Sequence, residues 1–273
     1  MFPLTRSTGR SRFFGVPAPA APSSVEYLIV AGGGSGATGG ITPNNLFDSV
    51  GGGGGAGGMR TGTASVASGT PYTITVGTGG AAQTAPRTAG TDGTNSVAFG
   101  LTSTGGGGGE WANNNGRSGG SGGGGGLLWN YPSYTVNSVG AGGSGTAGQG
   151  NTGGAGSSVI QTSGAGGGAG AAGVTNSPGA GLASSITGSS VTYAAGGSNT
   201  GSGVGTANTG NGGGGAYTAT SGAGGSGVVI IAYPDTFPAP TSIGGGLTYS
   251  VSTVSRAGYR VYTFTAGTGT IQW

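Results

Sequence analysis

Apolar residues gather into a few short runs, separated by long stretches that carry almost no side chain. Residues 25–31 (VEYLIVA) and 228–233 (VVIIAY) are continuous and rich in β-formers, and apart from Glu26 they predict strands buried on both faces. Across 59–77, two β-rich runs flank Ser68, Gly69, Thr70 and Pro71. This predicts a hairpin with Tyr72, Ile74 and Val76 on one face and Thr73 and Thr75 on the other. Residues 96–104 repeat the alternation with Val97, Phe99 and Leu101 on one side, a third strand expected to share a small sheet with that hairpin. After Pro234, Pro238 and Pro240 break the pattern, β-rich runs return at 247–254, 259–265 and 270–273, enough for a small β subdomain or an oligomer contact.

Between these runs lies glycine, 74 of 273 residues, in unbroken tracts such as 51–55, 105–109 and 122–126. A tract without Cβ atoms has no side-chain core, so its order must come from backbone groups bonding to neighbouring segments. The glycines lack the every-third-residue period of collagen, as 51–58 (GGGGGAGG) and 164–173 (GAGGGAGAAG) show. Polyglycine takes the same extended helix, three residues per turn, without that period, and a nine-residue tract would span about 28 Å. Several tracts would stack into a slab with loops at its two ends. The expected fold is therefore all-β or irregular: short strands and hairpins plus packed polyglycine type II helices, with almost no α-helix. Four regions follow: a basic, proline-punctuated arm at 1–24, a β-rich first region with glycine tracts at 25–104, the slab with variable loops and a closing strand at 105–234, and a C-terminal β subdomain at 235–273.

Composition narrows the chemistry. Leu, Ile, Val and Phe make up 42 of 273 residues, a level that signals disorder when joined to high net charge, but the net charge is only +3. With no cysteine, histidine or lysine, disulfides, Cys or His zinc sites, Ser-His-Asp and Cys-His systems and Schiff-base lysines are excluded. G-x-G-x-x-G matches mean nothing in so glycine-rich a chain, and a phosphate-binding loop lacks its lysine. Arg6, Arg10 and Arg12 precede the first acid, leaving five arginines and five acids in a formally neutral body. Such a body argues against nucleic acid as a partner. The arm, with Phe13 and Phe14, reads either as an attachment device for an acidic surface or as a solvated terminal segment. No apolar run approaches the roughly 20 residues of a membrane span, and Phe13 to Val16 before Pro17 is too short for a signal peptide.

Aromatic and amide side chains cluster in the expected loops: Phe47 with Asn44 and Asn45, Trp111 with Asn113, Asn114 and Asn115, and Trp129, Tyr131 and Tyr134 with Asn130 and Asn137. Rigid rings give contact area at low entropy cost and amides adapt, the combination binding loops use, and a saccharide would suit it. The same rings would equally cap the slab or meet another subunit. Asp48, Asp92 and Glu110 are the loop carboxylates from which a glycosidase pair or a calcium site would have to be built. No motif supports either, so neither an enzyme, a metal nor a cofactor is expected.

Several phrases carry a family resemblance: VEYLIVAGGG at 25–34, GGMRTGT and TPYTITVGTGG within 57–80, NSVAFG and TGGGGG within 95–109, and GGSGVVIIAYP at 224–234. The chain resembles the glycine-rich domain of tail-fibre and appendage proteins of tailed bacteriophages, and by composition, more distantly, the polyglycine-helix tip adhesins of T-even-like phages. The resemblance implies a virion surface protein whose slab holds loops toward a host polysaccharide or outer-membrane protein, with Trp129, Tyr131, Tyr134, Trp111, Asn114 and Phe47 as expected contacts. Other virion proteins, of tail fibre or capsid, are then the partners of the arm, and a homo-oligomer, preferably a trimer, is expected. The short arm and the segment after Pro234 depart from the tip adhesins and keep open a structural capsid-fibre or decoration role without receptor binding. A secreted matrix protein is disfavoured by the lack of a signal peptide.

Overall fold

A computed structural model of the chain describes residues 20–41, 47–130, 133, 135–218 and 220–273; the Phe47 side chain is also outside the description. The described residues are all-β, with no helix and hence none long and apolar enough to cross a membrane.

The strands are β1 (Ser24–Val30), β2 (Phe47–Val50), β3 (Met59–Ser65), β4 (Tyr72–Thr75), β5 (Ser96–Ala98), β6 (Leu101–Ser103) and β7 (Leu127–Asn130). They continue with β8 (Val136–Val139), β9 (Leu182–Ser184), β10 (Val191–Tyr193), β11 (Val228–Pro234), β12 (Ser242–Ile243), β13 (Leu247–Ser252) and β14 (Tyr259–Gln272). Nine of them form one antiparallel sheet in the order β3-β1-β11-β14-β4-β5-β6, with β12 and β13 also paired to β14. The sheet curls until its ends nearly meet. Arg60 on β3 donates from Nε to the Thr102 carbonyl on β6 at 2.9 Å, and Ser103 Oγ to the Ile29 carbonyl on β1 at 2.9 Å.

The continuous apolar runs are buried on both faces, as expected. Inside the curl, Val25 and Ile29 of β1 and Val229, Ile231 and Tyr233 of β11 pack with Ile74, Phe264 and Trp273. Outside, Leu28, Val30, Val228, Ile230 and Ala232 are covered by Met59, Val261, Ile186 and Tyr193, the last two brought by the β9–β10 hairpin and its turn. Each such fully buried aliphatic side chain contributes about 1.5–3 kcal/mol.

Two strand expectations need correction. Residues 59–77 are not a hairpin: β3 pairs with β1, whereas β4 pairs with β14 and β5, so the two runs lie far apart in one sheet. Residues 96–104 are not one strand but the β5–β6 hairpin, turned at Phe99 (φ 53°) and Gly100 (φ 74°). Two consecutive positive φ values are the geometry of a tight hairpin turn. Phe99 is held in it by ring contacts with Tyr27 and Tyr72, at centroid distances of 6.2 and 5.5 Å. The face assignment on β4 holds, with Ile74 and Val76 buried and Thr73 exposed. Residues 235–273 supply β12, β13 and β14, and β14 lies inside the main sheet between β11 and β4.

The glycine tracts bond with a period of three. From residues 32–40, the amides of Gly32, Ser35 and Thr38 donate to the carbonyls of Thr94, Thr91 and Thr88. Gly33 and Gly36 donate to Gly225 and Gly222, and Gly34, Ala37 and Gly40 to Gly55, Gly52 and Ser49. Each third residue therefore faces the same neighbour, the repeat of a three-per-turn extended helix. The rod 51–58 is fully enclosed. It donates to 210–216, 104–110 and 164–167, and its carbonyls accept from 31–37, 121–124 and Gly197, six segments in all. Apart from the buried Ala56 methyl group, which joins the apolar cluster outside the sheet, the rod carries no side chain, and its neighbours leave little room for one: a Cβ added at Gly54 would run into the Gly34 carbonyl, and one at Gly124 into that of Gly164. Where a rod lacks an outer neighbour, side chains take its place. Asn95 Oδ1 accepts from the Gly105 amide and Asp92 Oδ1 from the Gly108 amide, both at 2.8 Å and again three residues apart.

The chain order gives the bundle two unlike ends. β1 runs into rod 32–40, rod 51–58 into β3, β6 into rod 104–110 and rod 222–227 into β11, so the main sheet caps one end. The antiparallel pairing of 34–37 with 52–55, and of 52–58 with 104–110, puts Ile41, β2 and the connection at 110–117 at the other.

Candidate functional site

That far end holds a three-stranded antiparallel sheet in the order β2-β7-β8, which places Asp48 opposite Trp129 and Phe47 opposite Asn130. The loop at 110–117 lies against its base, where the Gly126 amide, one residue before β7, donates to the Asn114 carbonyl at 3.1 Å. Beside it the Ala141 amide donates to Asn115 Oδ1 at 2.9 Å. The segment 216–221 joins the group through Tyr217, whose hydroxyl donates to Asp48 Oδ2. The described parts of the three loops singled out in the sequence thus lie at the same end of the fold.

Trp111 and Trp129 are both half-buried, and Asn114 is exposed. The Trp129 indole Nε1 is buried with no hydrogen-bond partner among the described residues. Tyr131 and Tyr134 lie outside the described residues, as do Asn44, Asn45 and the arm residues Arg6, Arg10, Arg12, Phe13 and Phe14.

The carboxylates are committed to structure. Asp48 is 2% exposed; besides Tyr217 it accepts the Ser49 amide at 2.7 Å, and so pins 216–221 to β2. Glu110, the buried last residue of its rod, meets Arg117 at 3.3 Å, and Asp92 meets the same guanidinium at 3.6 Å. Burial pushes the Glu110 carboxyl above the usual carboxylate range, against the pull of Arg117. Asp92 and Glu110 therefore share a cation, and Asp48 belongs to a separate contact.

Sequence reasoning passed over one exposed feature of this end. The turn at 157–162, closed by a bridge between Ser157 and Thr162, exposes Val159 (88%) and Ile160 (52%) beside Val139 of β8. Gly156 fixes that adjacency, because its amide donates to the Gly140 carbonyl at 2.9 Å. Two adjacent β-branched residues between glycine tracts were the available signal. The end as a whole offers rings, amides and aliphatic groups on a rigid base, an arrangement for contact; among the described residues no group of three or more acids is placed to hold a metal.

No curated protein matches the chain. A family model described as a glycine-rich domain matches residues 8–234, from within the arm to the end of β11. Most of the chain, including every rod and the strands β1 and β11, lies inside that match, and the chain belongs to the glycine-rich domain family.

Proposed function

We propose that the chain is a surface protein of a tailed-phage virion, a receptor-binding module of a tail fibre that holds its loops toward the host cell. The observation that carries this reading is the polarity of the bundle. The arm joins the body at Ser24, on the end capped by the main sheet, while the loops with Trp111 and Trp129 collect at the opposite end. An attachment segment and a display surface at opposite ends suit a protein that bridges a particle and a host polysaccharide or outer-membrane protein. The phrases shared with tail-fibre glycine-rich domains support the same reading.

The test is adsorption. Buried aromatic anchors commonly contribute about 2 kcal/mol or more, near thirtyfold in affinity. Particles carrying Trp111→Ala and Trp129→Ala should bind host cells correspondingly less, with the melting temperature of the isolated protein little changed. Unchanged adsorption with intact folding would remove the receptor reading and favour the structural decoration role. A chain beginning at Ser24 should fold yet fail to join the particle.

A further inference from the structure

We infer that the open edge of β3 is a docking groove for an extended, uncharged peptide segment of a partner protein, which adds to the main sheet as a further strand. β3 is the terminal strand of the sheet order, paired with β1 and with no second strand among the described residues. Three contiguous cavities of about 570, 250 and 250 Å³ follow it, and between them they are lined by Met59, Arg60, Thr61, Gly62 and Thr63. Their far wall is formed by Gly148 to Asn151 and by Leu182 with Ser184 to Ile186.

The backbone pattern says which groups await a partner. The Met59 amide points away from β1 and donates to the Gln149 carbonyl at 3.0 Å. In an antiparallel strand, N–H and C=O of every second residue face the same side, so those of Thr61 and Thr63 face the groove. Both residues are exposed. Gly62 keeps the edge accessible, because its missing Cβ makes room for the Tyr27 hydroxyl, which a Cβ would meet at 2.9 Å.

The occupant follows from the walls and the charges. A wall standing over the edge leaves space for a lone segment but blocks the edge of a second folded copy. Glu26 and Arg256 at the end of the groove already form a two-pronged ion pair at 2.6 and 3.0 Å, with the Arg256 guanidinium 3.6 Å above the Tyr259 ring. Arg60 is turned to Thr102. The groove therefore asks for backbone hydrogen bonds rather than for charge, the mode of strand addition.

The experiment uses the full chain and a fluorescein-labelled, end-capped Gly-Thr-Val-Thr-Val-Thr-Gly peptide, read by fluorescence anisotropy, with amide exchange at Thr61 and Thr63 read in parallel. Binding should slow exchange at those two amides. Thr63→Pro removes one outward donor at an edge position where proline is tolerated, and should weaken binding by about tenfold without lowering the melting temperature. Methylating alternate peptide amides should do the same. The proposal is overturned if the peptide does not bind, if it binds without protecting Thr61 and Thr63, or if Thr63→Pro leaves affinity unchanged. Binding of maltohexaose in its place, or a dimer that Thr63→Pro disperses, would also overturn it.

Discussion

The rod 51–58 and the strands β1 and β11 all carry backbone deep into the protein, and in both places that backbone is tied to neighbouring segments by hydrogen bonds, but what surrounds it differs. Around β1 and β11 the space between elements is filled by Leu28, Ile29, Ile230, Ile231 and Phe264, all at most 1% exposed. Around the rod it is filled by other backbones, close enough that the Gly34 carbonyl occupies the place of a Gly54 side chain. The sheet region tolerates changes of shape within its side-chain core, as cores of roughly conserved volume do. Apart from the Ala56 methyl group, the rod has no side chains to repack, so its tolerance depends mainly on register and on bareness.

The largest effect should come from register. One extra glycine between Gly54 and Gly55 rotates half of the rod by a third of a turn against all six neighbours and should abolish folded protein, seen as lost soluble yield and a lost thermal transition. The same insertion at Gly69, a turn position with nothing within 4 Å of a Cβ, should leave the transition nearly in place. Next comes a single methyl group. Gly124→Ala should cost about 3 kcal/mol in denaturant unfolding, at the top of the range for overpacking, because backbone rather than a mobile side chain stands in its way. Removing a methyl group from the other region, Ile231→Val, should cost only about 1 kcal/mol. Equal costs for these two would erase the contrast.

The smallest effects are electrostatic and of opposite sign. The Arg256 hydrogen bonds hold the Glu26 carboxyl below the usual carboxylate range. The folded state thus binds fewer protons there than the unfolded state. Glu26 stabilises the fold above the ordinary carboxylate pKa and loses that contribution as pH falls through its lowered value. Glu110 is raised, so the folded state takes up its proton first, and its contribution grows as pH falls from the raised value toward the ordinary one. Glu26→Gln should flatten the acid limb of a stability–pH curve and Glu110→Gln steepen it. The Glu26 effect stays within about 1 kcal/mol, as expected for a pair open to solvent.

The same contrast explains what could be read from the sequence. VEYLIVA and VVIIAY announced buried strands because their side chains say which faces are covered. Their partners were not legible: β3 pairs with β1 and β4 with β14, and no local pattern states a pairing across so much chain. The Phe99 turn was hidden because phenylalanine is no turn residue, and its contacts with Tyr27, Tyr72 and the inner core hold it there. The rods were legible as a class but not as neighbours, since glycine tracts are interchangeable on paper. For the same reason Trp111 and Trp129 could be chosen as candidates while the placing of their segments at one end, and the burial of Asp48, could not be foreseen.

The enclosed rod has a thermodynamic consequence. Opening it would hydrate peptide groups much more than hydrocarbon, and exposing polar surface lowers the heat capacity while exposing apolar surface raises it. The heat-capacity increment of unfolding should therefore fall below the usual 12–15 cal/mol/K per residue, an approximate range for globular proteins. A small increment gives a broad, shallow stability curve. The bundle should keep its strength almost unchanged from cold water to body heat.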